Sequence, residues 1–260
     1  MMDTQSRVVI TNQPAAAIQP QTAPAVNLPL LTAPQEFMEV MKENRLDGEN
    51  FRFDKIPMPS DGGITFVMMD EKGGTILRAE LRGVILKFSH FKSWYQKSFD
   101  ERDENDDKRP DCFSQDGEIG SGCPDAGIPP EQKCEFCPKN QWGSDRRGGR
   151  GKDCADKIRI YILLEESALP VFIDLPPASI GNFKEYRKRL TNKLKSLHGV
   201  VTVIGLEMDK SITGGITYSK ATFAKDADLN PDERAIIKQY IDTISPSLKQ
   251  RARHHHHRLV

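Results

Sequence analysis

A chain of 260 residues with 37 Lys and Arg against 37 Asp and Glu carries no formal net charge, so overall charge does not draw it to nucleic acid; any such attraction must act through local patches within a Debye length of about 8–10 Å. At 37% hydrophobic the composition is lean but allows one large domain or two small ones. No run approaches the ~20 apolar residues of a membrane span, and the N-terminus lacks the basic-then-apolar pattern of a signal peptide, so a soluble, cytoplasmic protein outside the membrane is expected.

Residues 1–33 are rich in Ala, Pro, Gln and Thr. Repeated prolines forbid a long helix, and too little is buried to offset ordering entropy, which predicts a disordered arm. Within it, Val8-Val9-Ile10 and Leu28 to Leu31 are the stretches suited to docking on a neighbour. Pro34 to Arg45 predicts a short helix, with Phe37, Val40 and Met41 at helical spacing and Pro34 in the first turn. Ile64 to Met69 predicts a strand and Asp70 to Gly74 a hairpin turn. From Thr75 a long strand follows, and Gly83 within it predicts a bulge or sharp bend. Lys87 to Phe99 interleaves Lys87, Lys92 and Lys97 with Phe88, Phe91, Trp94, Tyr95 and Phe99. Such a stretch either supplies stacking platforms beside phosphate-binding cations or fills a core with alternate rings. His90 is expected to be an ordinary surface or core histidine. Asp100 to Asp111 is an acidic run, by default a solvated loop.

All five cysteines then fall in one segment, at Cys112, Cys123, Cys134, Cys137 and Cys154. The Cys134-x-x-Cys137 pair at a tight turn suits one tetrahedral ion, with Zn–S distances of about 2.3 Å. Cys154 returns after 16 intervening residues, a usual span for a zinc knuckle. The fourth ligand is Cys112 or Cys123. Cys112 is preferred, because Phe113-Ser114-Gln115-Asp116-Gly117 forms a turn behind it, which leaves Cys123 as a spare thiol. The competing arrangements are a redox pair or disulfides. The odd count and the expected reducing compartment weigh against disulfides; Pro138 and the downstream glycines weigh against the helix that a redox Cys-x-x-Cys opens. A structural Zn2+ held by Cys112, Cys134, Cys137 and Cys154 is therefore expected. The second half of the segment is basic: Lys139, Arg146, Arg147, Arg150 and Lys152 surround Trp142, with Lys157 and Arg159 just beyond. Its Gly-Gly-Arg-Gly-Lys lacks the spacing of a phosphate-binding P-loop.

Ile158 to Glu165 and Pro170 to Leu175 predict a strand pair. A helix from Ser179 to His198 follows, with Ile180, Phe183, Tyr186, Leu190, Leu194 and Leu197 as its buried stripe and Arg187 and Lys188 on a basic outer face. Val200 to Met208 and Ile216 to Phe223 are two further strands. Asn230 caps a last helix, Asp232 to Ile244, with Pro231 at its first position. The run His254 to His257 is set aside from the fold.

This pattern predicts a mostly β fold, an OB-like β-barrel with α insertions and a zinc-stapled loop between strand groups. The domain spans 34–245 with the zinc-binding insertion at 110–156, after the arm at 1–33 and before a flexible tail at 246–260. The motifs carried by Cys112, Asp116, Gly117, Cys134, Cys137, Pro138, Asn140, Trp142, Gly143, Ser144, Gly151, Lys152 and Cys154 resemble a family of uncharacterised phage and mobile-element proteins. That resemblance implies Cys112 as the fourth ligand. More loosely, the chain is similar to phage single-stranded DNA-binding proteins of the OB class, although such proteins often end in an acidic tail and this chain ends basic. The expectation is a non-enzymatic protein that binds single-stranded DNA in phage or plasmid replication or recombination, with replication or recombination proteins as further partners. Its contacts would come from Lys87, Phe91, Lys92, Trp94, Tyr95, Lys97, Lys139, Trp142, Arg146, Arg147, Arg150, Lys152, Lys157, Arg159, Arg187 and Lys188. The alternatives are a zinc-dependent protein-interaction module and, further off, a metal-dependent nuclease drawing on the acidic run.

Overall fold

The computed structural model describes residues 27–44, 46, 53–59, 61–70, 72–97, 101, 103, 109–146, 148–165, 167–210, 215 and 217–250. The arm through residue 26, most of the acidic run, Arg147 and the tail with His254 to His257 lie outside the described residues.

A six-stranded antiparallel sheet organises the chain. It is built from β3 (Glu80–Trp94), β4 (Cys112–Ser114), β7 (Ala155–Leu164), β8 (Val171–Leu175), β9 (Val200–Lys210) and β10 (Thr217–Asp228). The order is β10-β9-β3-β7-β8, with β4 also paired to β3. A separate hairpin joins β1 (Phe66–Met69) to β2 (Thr75–Arg78), and a small one joins β5 (Ile119–Gly120) to β6 (Gln132–Lys133). The mostly β expectation holds. No described sheet closes into a barrel, because β10 and β8 remain as separate edges.

Helices cover both faces. On one, Val84, Leu86, Tyr161, Leu163, Phe172 and Val201 pack against α1 (Pro29–Thr32), α2 (Pro34–Glu43) and α4 (Pro231–Gln250) through Leu28, Leu30, Phe37, Met41, Ile237, Tyr240 and Ile244. On the other, Ile85, Ile158, Ile160, Ile162 and Ile173 meet Phe66 of β1 and Phe183, Tyr186 and Leu190 of α3 (Pro177–Asn192). Strand alternation produces both layers, since neighbouring residues of β7 face opposite helices. Leu28 and Leu30 are fully buried here, so the chain is ordered well before residue 33. The leucines that end the Pro-rich stretch dock on their own domain, because α4 offers them apolar surface. At the other end α4 runs six residues past the predicted stop at Ile244, to Gln250. Its start follows the sequence: the Glu233 amide donates to Asn230 Oδ1 at 2.9 Å and the Asn230 amide to Glu233 Oε2 at 2.7 Å, a capping box.

The end of α3 departs from expectation. The helix stops at Asn192, and Leu194 has a left-handed backbone (φ 55°) and is 95% exposed rather than buried. The Lys195 amide donates to the Leu190 carbonyl at 3.0 Å and the Leu194 amide to the Thr191 carbonyl at 2.9 Å. This is a Schellman ending, usually made with glycine. Gly83 also differs from its predicted part. It pairs with Leu164 of β7 and Thr202 of β9, and a side chain there would collide with the Leu163 carbonyl. The register irregularity lies between Ile85 and Lys87 instead.

β3 is longer than any neighbour on its β9 side. β9 pairs with it from Glu80 to Gly83 and β4 from Lys92 to Trp94, while β7 follows the opposite edge from Gly83 to Ser93. Between Gly83 and Lys92 no described strand lies along that first edge.

Candidate metal centre and nucleic-acid interface

The cysteine segment is a compact knuckle held mostly by its own backbone. Cys112 lies on β4 opposite Trp94. Cys134 opens a 3-10 turn over Cys134–Phe136, and the Cys137 amide donates back to the Cys134 carbonyl at 3.3 Å. Asn140 Nδ2 donates to the Cys134 carbonyl at 2.7 Å, and Gln141 Nε2 to the Cys137 carbonyl at 3.1 Å. The Cys154 amide donates to the Lys139 carbonyl at 2.7 Å, which returns the chain to the knuckle.

Cys112, Cys134, Cys137 and Cys154 are buried, free of disulfides, and line one cavity of ≈ 10 Å³ beside Trp94 and Ile128. Cys123 is half-buried, forms a bridge with Ile128 and does not line the cavity. Burial pushes the Cys112 and Cys134 thiols up, and that of Cys154 up to about 12. Among the described residues no group of three or more His, Cys, Asp or Glu stands in metal-holding geometry. The chemistry of the lining nevertheless suits Zn2+: four cysteines, no carboxylate, and room for about one atom rather than a water cluster.

The basic residues divide into those consumed by the fold and those left outward. Trp94, expected to stack on bases, is 3% exposed and donates from Nε1 to Asp153 Oδ2 at 2.7 Å. Arg146 binds the same carboxylate at 2.7 Å and also holds the Tyr95 and Gln96 carbonyls, while Lys139 lies 3.7 Å from it. Burial raises the Asp153 pKa, but the hydrogen bonds from Arg146 and Trp94 outweigh it and hold the carboxyl below its ordinary value. These three residues therefore anchor the loop to the end of β3. Phe91 is buried too, between Phe113, Lys157 and Arg159. Arg159 pairs with Asp174 through Nε at 2.7 Å and Nη2 at 2.9 Å, and stacks on Phe172. Burial pushes the half-buried Lys157 ammonium down, next to the half-buried Tyr95. Lys92 and Lys152 both reach Asp156 and Asn140.

Outward-facing are Trp142, 79% exposed with Lys152 5.3 Å from its ring, and the exposed Arg150, Lys188 and Lys97. Arg187 lies on the Phe88 ring at 4.1 Å. Lys87 is half-buried beside it.

These pieces form a track across β3. His90 is exposed on the face that α3 covers; burial lowers its pKa, as do the charges of Arg187 and Lys184, with Asp156 and Lys92 also within electrostatic reach. From Arg187 the track passes His90 to Lys92, then through Asn140 to Lys152 and Trp142. His90 was expected to be an ordinary surface or core histidine; strand–helix packing brings it within electrostatic reach of Arg187 and Lys184 on the basic face of α3. No protein-family model matches the chain, and neither a curated protein nor a solved structure matches it.

Proposed function

We propose that this protein binds single-stranded DNA and serves phage or plasmid replication or recombination in the bacterial cytoplasm, with Zn2+ as a structural ion. One observation carries the proposal: the track from Arg187 past His90 to Lys92 and Lys152, two ammoniums that share the single carboxylate of Asp156, and on to the exposed Trp142. Cations spaced along a path suit successive phosphates, and an exposed indole at its end suits base stacking worth about 1–3 kcal/mol. An OB-like barrel contributes nothing to the proposal, since the sheet is open. Cys112, Cys134, Cys137 and Cys154 would hold the zinc, which would fix the loop that presents Trp142 and Lys152. Binding would displace the four thiol protons and add directly to folding free energy.

Titration of the full-length protein with oligo(dT) at low salt tests this. Quenching should come from Trp142, because Trp94 is buried; Trp142→Ala should remove most of the signal and weaken binding roughly 5- to 100-fold. Unquenched fluorescence together with no binding by anisotropy would refute single-strand binding. Protein recognition is the second reading, favoured by Phe136, which is exposed with Trp142 on the same loop and has no place on the basic track.

A further inference from the structure

The gap along the β9-side edge of β3 opens into a cleft. One wall is β3 itself, through Lys87 and Phe88; the other is the end of α3 and the turn after it, through Arg187, Thr191, Lys195 and His198. The cleft is open to solvent on one side and offers ≈ 380 Å³, within the range of about 300–1,000 Å³ typical of small-molecule sites. The Schellman ending of α3 shapes this wall: the left-handed Leu194 turns the chain so that Lys195 to His198 fold back toward β3.

The composition of the lining is selective. It contains two lysines, an arginine and a histidine, the hydroxyls of Thr191 and Ser196, and no carboxylate. Lys195 is shared with Asp228, 3.3 Å from its ammonium and outside the lining. Arg187 lies over Phe88, its Cζ 4.1 Å from the ring centroid, and Phe88 in turn packs edge-on against Phe183 and His90. A guanidinium fixed on a ring loses little freedom when it engages an anion, and it presents planar donors suited to phosphate oxygens. The floor is apolar, formed by Leu86, Leu190 and Leu197. Cations and hydroxyls above an apolar floor match an anion attached to a less polar body.

From this lining we infer that the cleft seats the phosphate of a nucleotide unit, and, resting on the single-strand proposal, that it is the first phosphate-binding position of the bound strand. The track then leads away from the cleft past His90 toward Trp142. The basic wall of α3 supplies the phosphate contact, and the cysteine loop adds stacking.

The test compares full-length variants for binding of fluorescein-labelled oligo(dT) by anisotropy, across a salt series starting near about 20 mM. Arg187→Glu reverses the held charge. Thr191→Glu adds a carboxylate to the rim while removing no cation, and the lost hydroxyl bonds only the Arg187 carbonyl of its own helix; it covers the case in which Arg187→Glu fails to fold. Each folded variant is expected to lose about tenfold or more in affinity, and Arg187→Glu to flatten the salt slope by roughly 0.7, the value for one phosphate on a single strand. If folded Thr191→Glu binds like wild type while Trp142→Ala weakens binding, the cleft inference falls and single-strand binding stands. If wild type does not bind oligo(dT) at all, the strand proposal falls. The cleft is then decided by titrating thymidine monophosphate and inorganic phosphate separately while following the His198 ring by NMR. A shift with the nucleotide that Thr191→Glu abolishes keeps the cleft as a free-nucleotide site, and no shift with either overturns it.

Discussion

Removal of the Asp153 carboxylate tests whether the cysteine loop is tied to the sheet as described. Asp153 has a side chain 6% exposed and accepts from Trp94 Nε1 and Arg146 Nε, each at 2.7 Å. Asp153→Ala leaves the buried indole N–H without a partner, which costs about 1–3 kcal/mol. Arg146 is 30% exposed and regains water, so its lost pair adds only about 0–1 kcal/mol. The expected loss is about 1–4 kcal/mol, or roughly 2–16 °C in Tm for a chain of this size. Asp153→Asn, which keeps an acceptor but no charge, should lose about 1 kcal/mol. The pH dependence has a definite sign. The folded carboxyl is depressed below its ordinary value by Arg146 and Trp94 against the opposing effect of burial. Its contribution is therefore complete above the unfolded pKa of about 3.9 and is lost as pH falls through the lower folded value. Urea melts of wild type and Asp153→Asn, compared at each pH from 7 to 3 so that common contributions cancel, should show the gap closing below about pH 4. An Asp153→Ala protein that melts with wild type at pH 7, or a wild-type-to-Asn gap that is unchanged at pH 3, would refute the anchor.

Two further variants probe separate parts of the fold. Cys123→Ser should leave zinc content unchanged, whereas Cys112→Ser should lower it, because only Cys112 shares the cavity with Cys134, Cys137 and Cys154; metal analysis of the purified proteins checks this, and equal loss from both would move the site. Leu194→Gly should raise stability by about 1 kcal/mol, since a 95% exposed leucine gives up little packing and glycine removes the left-handed backbone penalty; thermal melts that fall instead would show Leu194 making contacts the fold does not display.

Much of the fold was legible where one local rule acted alone. The Asn230-Pro231 start of α4 needed only capping chemistry, and the strands of the second half needed only alternation and length. The sequence misled where two rules competed. At Leu194 helical spacing suggested a buried leucine, but Schellman bonds ended the helix at Asn192, before the stripe reached Leu194 and Leu197. At Gly83 the glycine suggested a bulge, whereas its absent side chain makes room for the Leu163 carbonyl in the crowded centre of three strands. Strand count alone also suggested a barrel, though closure depends on edge pairing that no local pattern encodes.

The candidate interface shows the same limit in electrostatic form. Residue type alone made the cations Arg146 and Arg159 and the aromatic Trp94 look like ligand contacts, yet Asp153 and Asp174 bind them within the fold. These aspartates are distant from most of their partners in sequence, so only the β3–β7–β8 register exposes the pairing. The balanced formal charge is thus compatible with a local positive face, because Lys184, Arg187 and Lys188 lie together on α3. The two ends of the track depend on different forces. The Trp142 end is held by the thiol knuckle and the Asp153 and Asp156 pairs. The Arg187 end is held by Phe183, Tyr186 and Leu190 packed into the sheet core. Loss of the knuckle would therefore release the stacking end and leave the phosphate-binding end in place.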